Sequence, residues 1–118
     1  MDYTDLLRRL SLHDERIVAV NLDDAGPDSI SSDPALDPKS LALVRLAALV
    51  AVGGVVPSYG AQADAAVNAG ATVDEIVEVL VGVLPIVGLP RVVAAAPQLA
   101  LALGHDFDAD DSFGIRAG

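Results

Sequence analysis

The pattern of apolar and polar positions predicts helices along most of the chain. Three leucines fall on one face of a short first helix, which Thr4 or Asp5 can cap. A second short helix is predicted over His13–Asn21. Asp, Ser, Gly and Pro dominate Leu22–Leu36, so this stretch is predicted to be a loop.

Four more helices are predicted from local start and stop signals. Asp37 can cap a helix in which Pro38 takes the first position, and Thr72 with Glu75 fits a capping box. The alternation typical of strands is poor, so the chain is predicted to be all-α, with about six helices. The predicted bounds of the last four are Pro38 to Val52, Pro57 to Gly70, Thr72 to a kink at Pro85, and Pro90 through a kink at Pro97 to Gly104.

The charges divide the chain into three parts. Residues 1–35 are interpreted as an N-terminal helical arm and loop, residues 36–104 as the helical core, and residues 105–118 as an acidic tail. The acidic residues concentrate in the first and last parts, which is typical of solvated margins around a buried apolar centre.

The apolar residues are numerous but small. They make up 53% of the chain, whereas aromatic residues make up 3%. The stretch Leu41–Val56 is apolar nearly all round, with Arg45 its only charge. A helix of this kind has to be covered on every side, which one small subunit does not easily achieve. We therefore expect the chain to associate with copies of itself.

Composition also excludes several functions. The chain has no cysteine, which rules out disulfides and thiolate chemistry, and its formal charge of −10 argues against nucleic acid or an anionic membrane as partner. His13 and His105 stand apart, so neither a metal site nor a cofactor is expected.

The acidic first residues do not look like a signal peptide, and prolines interrupt the apolar run Val79–Leu103. A cytoplasmic location is predicted.

Several landmarks resemble the carboxymuconolactone decarboxylase and alkylhydroperoxidase D family. The most recognisable is Ala65–Ile76, a helix followed by a glycine turn and a capped helix. Leu36–Ala47 is similar to the family's entry helix, and Val83–Arg91 to its kinked end. The resemblance implies an all-helical alkylhydroperoxidase D-like subunit that assembles into homotrimers or homohexamers.

The resemblance also implies positions for the family's reactive side chains. One branch is a thiol peroxidase with two cysteines, a histidine and a glutamate. Counted back from Gly70, the cysteines fall on Val55 and Ser58, the histidine on Gln62, and the glutamate near Leu43. Because a serine hydroxyl forms no disulfide, thiol redox chemistry is rejected.

The other branch of the family decarboxylates a carboxylated muconolactone. That reaction needs a site for the carboxylate and the lactone, and a proton donor for the carbanion-like carbon. Gln62 replaces the usual histidine, and an amide orients a ligand but does not move a proton. Such a reaction would need Tyr59 or a water molecule as the acid.

Each candidate residue has a structural alternative. Arg45 is either a clamp for a substrate anion or part of a structural ion pair, for instance with Glu78. Ser58, Tyr59 and Gln62 form either a small polar pocket or an ordinary helix start with an interface tyrosine. Arg91 could face a ligand or make a salt bridge between subunits.

Two functions follow from these alternatives. The first is a carboxymuconolactone decarboxylase-like protein that binds a small organic lactone or carboxylate through Arg45, Ser58 and Gln62. If it is an enzyme, it is a cysteine-independent lyase or isomerase, with Tyr59 as the catalytic acid. The second is a non-catalytic assembly protein whose apolar helices exist to make the oligomer.

Overall fold

The computed structural model describes residues 2–16, 19 and 35–104. The chain divides into two compact units, Met1–Ala35 and Leu36–Gly118. The described residues contain five helices and no strand, which confirms the all-α prediction for them. The helices are α1 (Tyr3–Ser11), α2 (Pro38–Val52), α3 (Val56–Asn68), α4 (Val73–Val87) and α5 (Leu89–Ala102).

Helix α1 belongs to the N-terminal unit and is capped one turn earlier than predicted. The cap is Asp2, whose Oδ1 accepts the Asp5 N–H at 2.7 Å. Asp5 instead lies in the first turn, where it pairs with Arg8 and Arg9. Prediction of Thr4 or Asp5 as the cap was therefore wrong, because an aspartate three residues before Asp5 takes that role. None of the residues of α1 is buried.

Helix α2 begins and ends as its sequence predicts. Asp37 accepts the Ser40 N–H at 2.6 Å, and Pro38 stands where no N–H is required. Gly53 ends the helix with a φ of +90°, a value that favours glycine. Its N–H donates to the Leu49 carbonyl at 2.7 Å. The chain can therefore turn sharply into α3.

Helix α4 begins with the predicted capping box. The Thr72 hydroxyl accepts the Glu75 N–H at 3.1 Å, and Glu75 Oε1 accepts the Thr72 N–H at 2.9 Å. The second Glu75 oxygen, Oε2, accepts from Lys39 Nζ at 2.9 Å. One carboxylate thus closes the start of α4 and ties it to the start of α2.

The core of the second unit consists of small and medium apolar side chains from all four of its helices. Helix α2 packs most extensively against α3, and α5 contacts the other three helices. The largest side chains that are fully buried are Tyr59, Leu46, Ile76, Leu99 and Val50. Because alanines fill much of the remaining space, the helices approach closely.

The two prolines inside helices do not end them. Helix α4 continues past Pro85 to Val87, and α5 runs continuously through Pro97. Of the second predicted helix, His13–Asn21, residues 17, 18, 20 and 21 lie outside the described residues, while Glu15, Arg16 and Ala19 are helical. The acidic tail over 105–118 also lies outside the described residues. No helix in the described ranges combines the length and the apolar character needed to cross a membrane.

The tie between Lys39 and Glu75 predicts a dependence of stability on pH. The Lys39 ammonium, and after it the Thr72 N–H, hold the pKa of Glu75 below its usual value of about 4.3. Stability gained from a lowered carboxyl pKa is present above the unfolded value and is lost as pH falls through the folded one. Between about pH 5 and 3, the free energy of unfolding of Glu75→Gln should therefore fall less steeply with pH than that of the wild type. The two slopes should differ by at most the equivalent of one bound proton per molecule.

The measurement is urea unfolding at a series of pH values, at one protein concentration. Glutamine keeps a side-chain oxygen for the Thr72 N–H, so this variant removes the charge and leaves the capping box. Asp37→Asn provides the comparison, because the pKa of Asp37 is also lowered, in its case chiefly by the Ser40 N–H. An unchanged acid limb in Glu75→Gln would show that the ion pair contributes nothing to folding.

Candidate functional site

The four predicted site residues lie on two helices that pack together. Arg45 is in the middle of α2, and Ser58, Tyr59 and Gln62 are in the first two turns of α3. Helix α3 follows α2 after the short turn Gly53–Val55. The fold therefore places Ser58, Tyr59 and Gln62 soon after the turn, whereas Arg45 lies about two helical turns before it.

Tyr59 is a core residue. Its side chain is 1% exposed and belongs to the same buried cluster as Leu46 and Val50 of α2. Burial raises the pKa of its phenol above the usual value of about 10, because the charged form is poorly solvated there. At neutral pH the phenol is therefore a hydrogen donor and never a base. The sequence alternative of an interface tyrosine did not anticipate this depth of burial.

Ser58 and Gln62 are both half-buried and stand one helical turn apart, so they share the side of α3 that borders the core. Helix α3 begins at Val56, one residue before the predicted start at Pro57, and its N-cap position, Val55, makes no side-chain capping bond. The Ser58 N–H donates to the Val55 carbonyl at 3.0 Å within this first turn. Ser58 therefore lies within the first turn of α3 and is not its cap.

The turn between α2 and α3 depends on its two glycines. A Cβ on Gly54 would lie 2.8 Å from Leu49 Cδ1 and 3.4 Å from Ser58 Cβ, too close to the first for an ordinary contact. A Cβ on Gly53 would lie 3.6 Å from the Arg91 guanidinium, at Nη1. The turn therefore has Ser58 on one side and Arg91 on another, although Arg91 is far away in sequence.

Arg45 is half-buried in α2 and has an interaction partner of its own. Glu78, suggested as its partner from the sequence, is exposed on α4. Arg45 is therefore an engaged side chain, and binding a ligand through it would require exchange of an interaction that already exists.

The cavities in the described parts of the chain include one in each compact unit. One, of about 320 Å³, belongs to the N-terminal unit and is lined by Arg8, Arg9, Leu12, Asp14 and Arg16. The other, of about 250 Å³, is a groove between α4 and α5. Its lining is wholly apolar and comprises Val73, Val77, Leu80, Ala96, Leu99, Ala100 and Leu103. Neither is lined by any of the four predicted site residues.

A residue that the sequence left ambiguous, Arg91, proves to lie beside the turn. Its neighbour Gly53 is 38 positions earlier, and no local pattern links an arginine to a glycine at that separation. The approach of Arg91 to Gly53 depends on how α2 and α5 pack.

Within the described ranges there is no group of three or more His, Cys, Asp or Glu side chains that could hold a metal ion.

Comparison with known families decides the relationship. The model of the carboxymuconolactone decarboxylase family matches residues 6–101. The chain belongs to this family. The match begins within α1, well before the first landmark at Leu36, and ends within α5. No curated protein matches the chain, and no solved structure matches it either.

As a member of the carboxymuconolactone decarboxylase family, the chain is divergent at the positions implied for reactive groups. Val55 is exposed at the start of α3, Leu43 packs on the core, and Ser58 and Gln62 are half-buried. None of these can form a thiolate, and the whole sequence contains no cysteine. What remains near the turn is a set of neutral donors and acceptors, together with arginine.

The burial of Tyr59 predicts a large structural effect of its removal. Tyr59→Ala should lower the free energy of unfolding by about 3–5 kcal/mol, through lost burial and the cavity left behind. Tyr59→Phe keeps the ring and should cost less than about 1 kcal/mol, because the hydroxyl makes no hydrogen bond within the described residues. Urea unfolding followed by circular dichroism measures both. Tyr3→Ala is the matched control, because Tyr3 is 79% exposed on α1; equal losses at the two tyrosines would contradict a core role for Tyr59.

Proposed function

We propose that this chain is a carboxymuconolactone decarboxylase-family protein that binds a small organic lactone or carboxylate beside the α2–α3 turn. The supporting observation is that Ser58 and Gln62, at the positions implied for the family's reactive groups, are half-buried polar side chains on one face of α3. A serine hydroxyl and an amide offer both donors and acceptors, which suit a lactone or a carboxylate oxygen. Thiol chemistry has no part in the proposal.

The proposed chemistry, if the protein is an enzyme, is that of a lyase or isomerase. Tyr59 would donate the proton to the carbanion-like carbon, and its raised pKa keeps the phenol protonated for that purpose. Because Tyr59 is 1% exposed in the core, the ligand would have to reach it from the side of Ser58 and Gln62, through a local movement of α3. Arg45 would hold the anion in this version once it had exchanged its present partner.

A second candidate function is a non-catalytic assembly protein, and the burial of Tyr59 favours it over the enzyme. A tyrosine that packs in the core with Leu46 and Val50 has a sufficient structural role without any chemistry. In this version the polar residues of α3 support packing, and the apolar outer faces of the helices are the functional surfaces.

Both versions include self-association into a homotrimer or a homohexamer. Helix α4 presents Val73, Val77 and Val81 at four-residue spacing, and these side chains are 50%, 43% and 68% exposed. Such a row lies on one side of the helix and is continuous with the apolar groove against α5. Contiguous apolar surface of this kind typically marks an interface. The cytoplasmic location stays a prediction.

Ligand binding is tested by thermal melting of the purified protein against a panel of small lactones, keto acids and aromatic carboxylates. A ligand at 100 times its dissociation constant stabilises the folded state by about 2.7 kcal/mol, a shift of several degrees. We expect one chemical class to raise the melting temperature, and Ser58→Ala or Gln62→Ala to reduce the shift.

The matched control for ligand binding is Gln98→Ala, because Gln98 is also a half-buried glutamine but lies on α5. A shift retained in Gln62→Ala and lost in Gln98→Ala would place the site elsewhere. Where a binding compound is also converted, Tyr59→Phe should abolish turnover and leave the fold intact. Conversion at an unchanged rate would remove Tyr59 from the mechanism.

Self-association is tested by light scattering coupled to gel filtration. The wild-type mass should be three or six times the 12.0 kDa of one chain. Val81→Asp introduces a charge into the exposed row of α4 and should shift the mass toward the single chain. Ala65→Asp adds the same charge on the exposed side of α3 and should leave the mass unchanged. A wild-type mass of one chain would contradict the proposal.

A further inference from the structure

Arg91 differs from the other basic side chains that the structure describes. Arg8 and Arg9 pair with Asp5, Arg16 with Asp14, and Lys39 with Glu75, while Arg45 has an interaction of its own. Within the described residues, Arg91 makes no ion pair and no side-chain hydrogen bond. It is exposed in the first turn of α5. Its five N–H donors are therefore available to a partner from outside these residues.

The position of the guanidinium connects Arg91 with the proposed site. Nη1 lies 3.6 Å from where a Cβ on Gly53 would be, and a Cβ on the adjacent Gly54 would lie 3.4 Å from Ser58 Cβ. Gly53 and Gly54 carry no side chains, so they do not cover the guanidinium. Arg91 and Ser58 thus flank the same bare turn, one contributed by α5 and the other by α3.

We infer that Arg91 is a binding residue that holds the anionic group of a small organic carboxylate at the turn Gly53–Gly54. The inference rests on the proposed function and gives it a substrate class, because a planar guanidinium matches a carboxylate through two parallel hydrogen bonds. It also differs from the prediction made from the sequence, in which Arg45 binds the anion. Arg45 is half-buried and engaged, whereas Arg91 binds a carboxylate without giving up an ion pair within the described residues.

Two other roles for Arg91 make different predictions. The guanidinium lies near the carboxyl end of α2, where a cation is favoured by the helix dipole. That role affects stability and is indifferent to the charge of a ligand. A salt bridge to another subunit would instead change the mass of the assembly. Discrimination between a charged and a neutral ligand of the same shape separates these roles from carboxylate binding.

The experiment compares matched pairs of probes by isothermal titration, each pair being a carboxylate and its primary amide. Suitable pairs are benzoate with benzamide and levulinate with levulinamide. We expect wild-type protein to bind the carboxylate about tenfold more tightly, since a hydrogen bond to a charged group contributes at least that factor. Arg91→Gln should reduce the ratio to about threefold or less, and Arg91→Lys should retain part of it.

The control variant is Lys39→Gln, which removes one positive charge at the opposite end of α2. It should leave the ratio unchanged, because Lys39 is tied to Glu75 and does not border the turn. Carboxylate preference that survives in Arg91→Gln would overturn the inference and leave the proposed function standing. Failure of every probe to bind the wild type would overturn the inference, and the proposed function would fall as well if no compound of the melting panel bound either. Unchanged preference with a smaller assembly in Arg91→Gln would assign Arg91 to a subunit interface.

Discussion

Burial of Tyr59 is the constraint on which the arrangement of the second unit depends. It is the largest of the fully buried side chains in a core otherwise made mainly of alanine, valine and leucine. A single bulky ring among small side chains determines how α3 lies on α2, because little else there fills so much volume. The register of α3 in turn determines where the turn before it and the polar residues on its flank are placed. The candidate site is therefore a consequence of one packing interaction.

The first turn of α2, at the end opposite the α2–α3 turn, is held by polar interactions and not by burial of a large side chain. Lys39 and Glu75 join the starts of α2 and α4, and Glu75 also completes the capping box with Thr72. The Lys39 and Glu75 side chains are partly exposed, so their ion pair contributes modestly to stability, although it joins two helices that begin far apart in sequence. Helix α2 is thus held at its first turn by charge and beyond its middle by apolar burial. Its remaining outer face carries valines that this unit does not cover.

The sequence predicted best what a few neighbouring residues decide. The caps at Asp37 and Thr72 were predictable because a side chain and its backbone partner are three positions apart. The cap of α1 was predicted wrongly because Asp2, Thr4 and Asp5 are all able to cap a helix and lie within four residues, and only the structure selects Asp2. Burial of Tyr59 and the approach of Arg91 to Gly53 depend on helix packing across long separations. Small apolar residues on all sides of α2 give no periodicity from which to predict such packing.

Loss of cysteine and histidine at the implied positions changes the kind of chemistry that the site can support. Serine and glutamine bind and orient, and neither exchanges a proton near neutral pH. A buried phenol with a raised pKa can give a proton but regains it only from water or a ligand. Arginine, protonated throughout, adds a fixed positive charge. Such a set suits recognition of a carboxylate and a single proton transfer, and it cannot run the electron and thiol cycle of a peroxidase. At the implied positions the chain therefore carries side chains whose chemistry suits binding, and none that could support thiol redox chemistry.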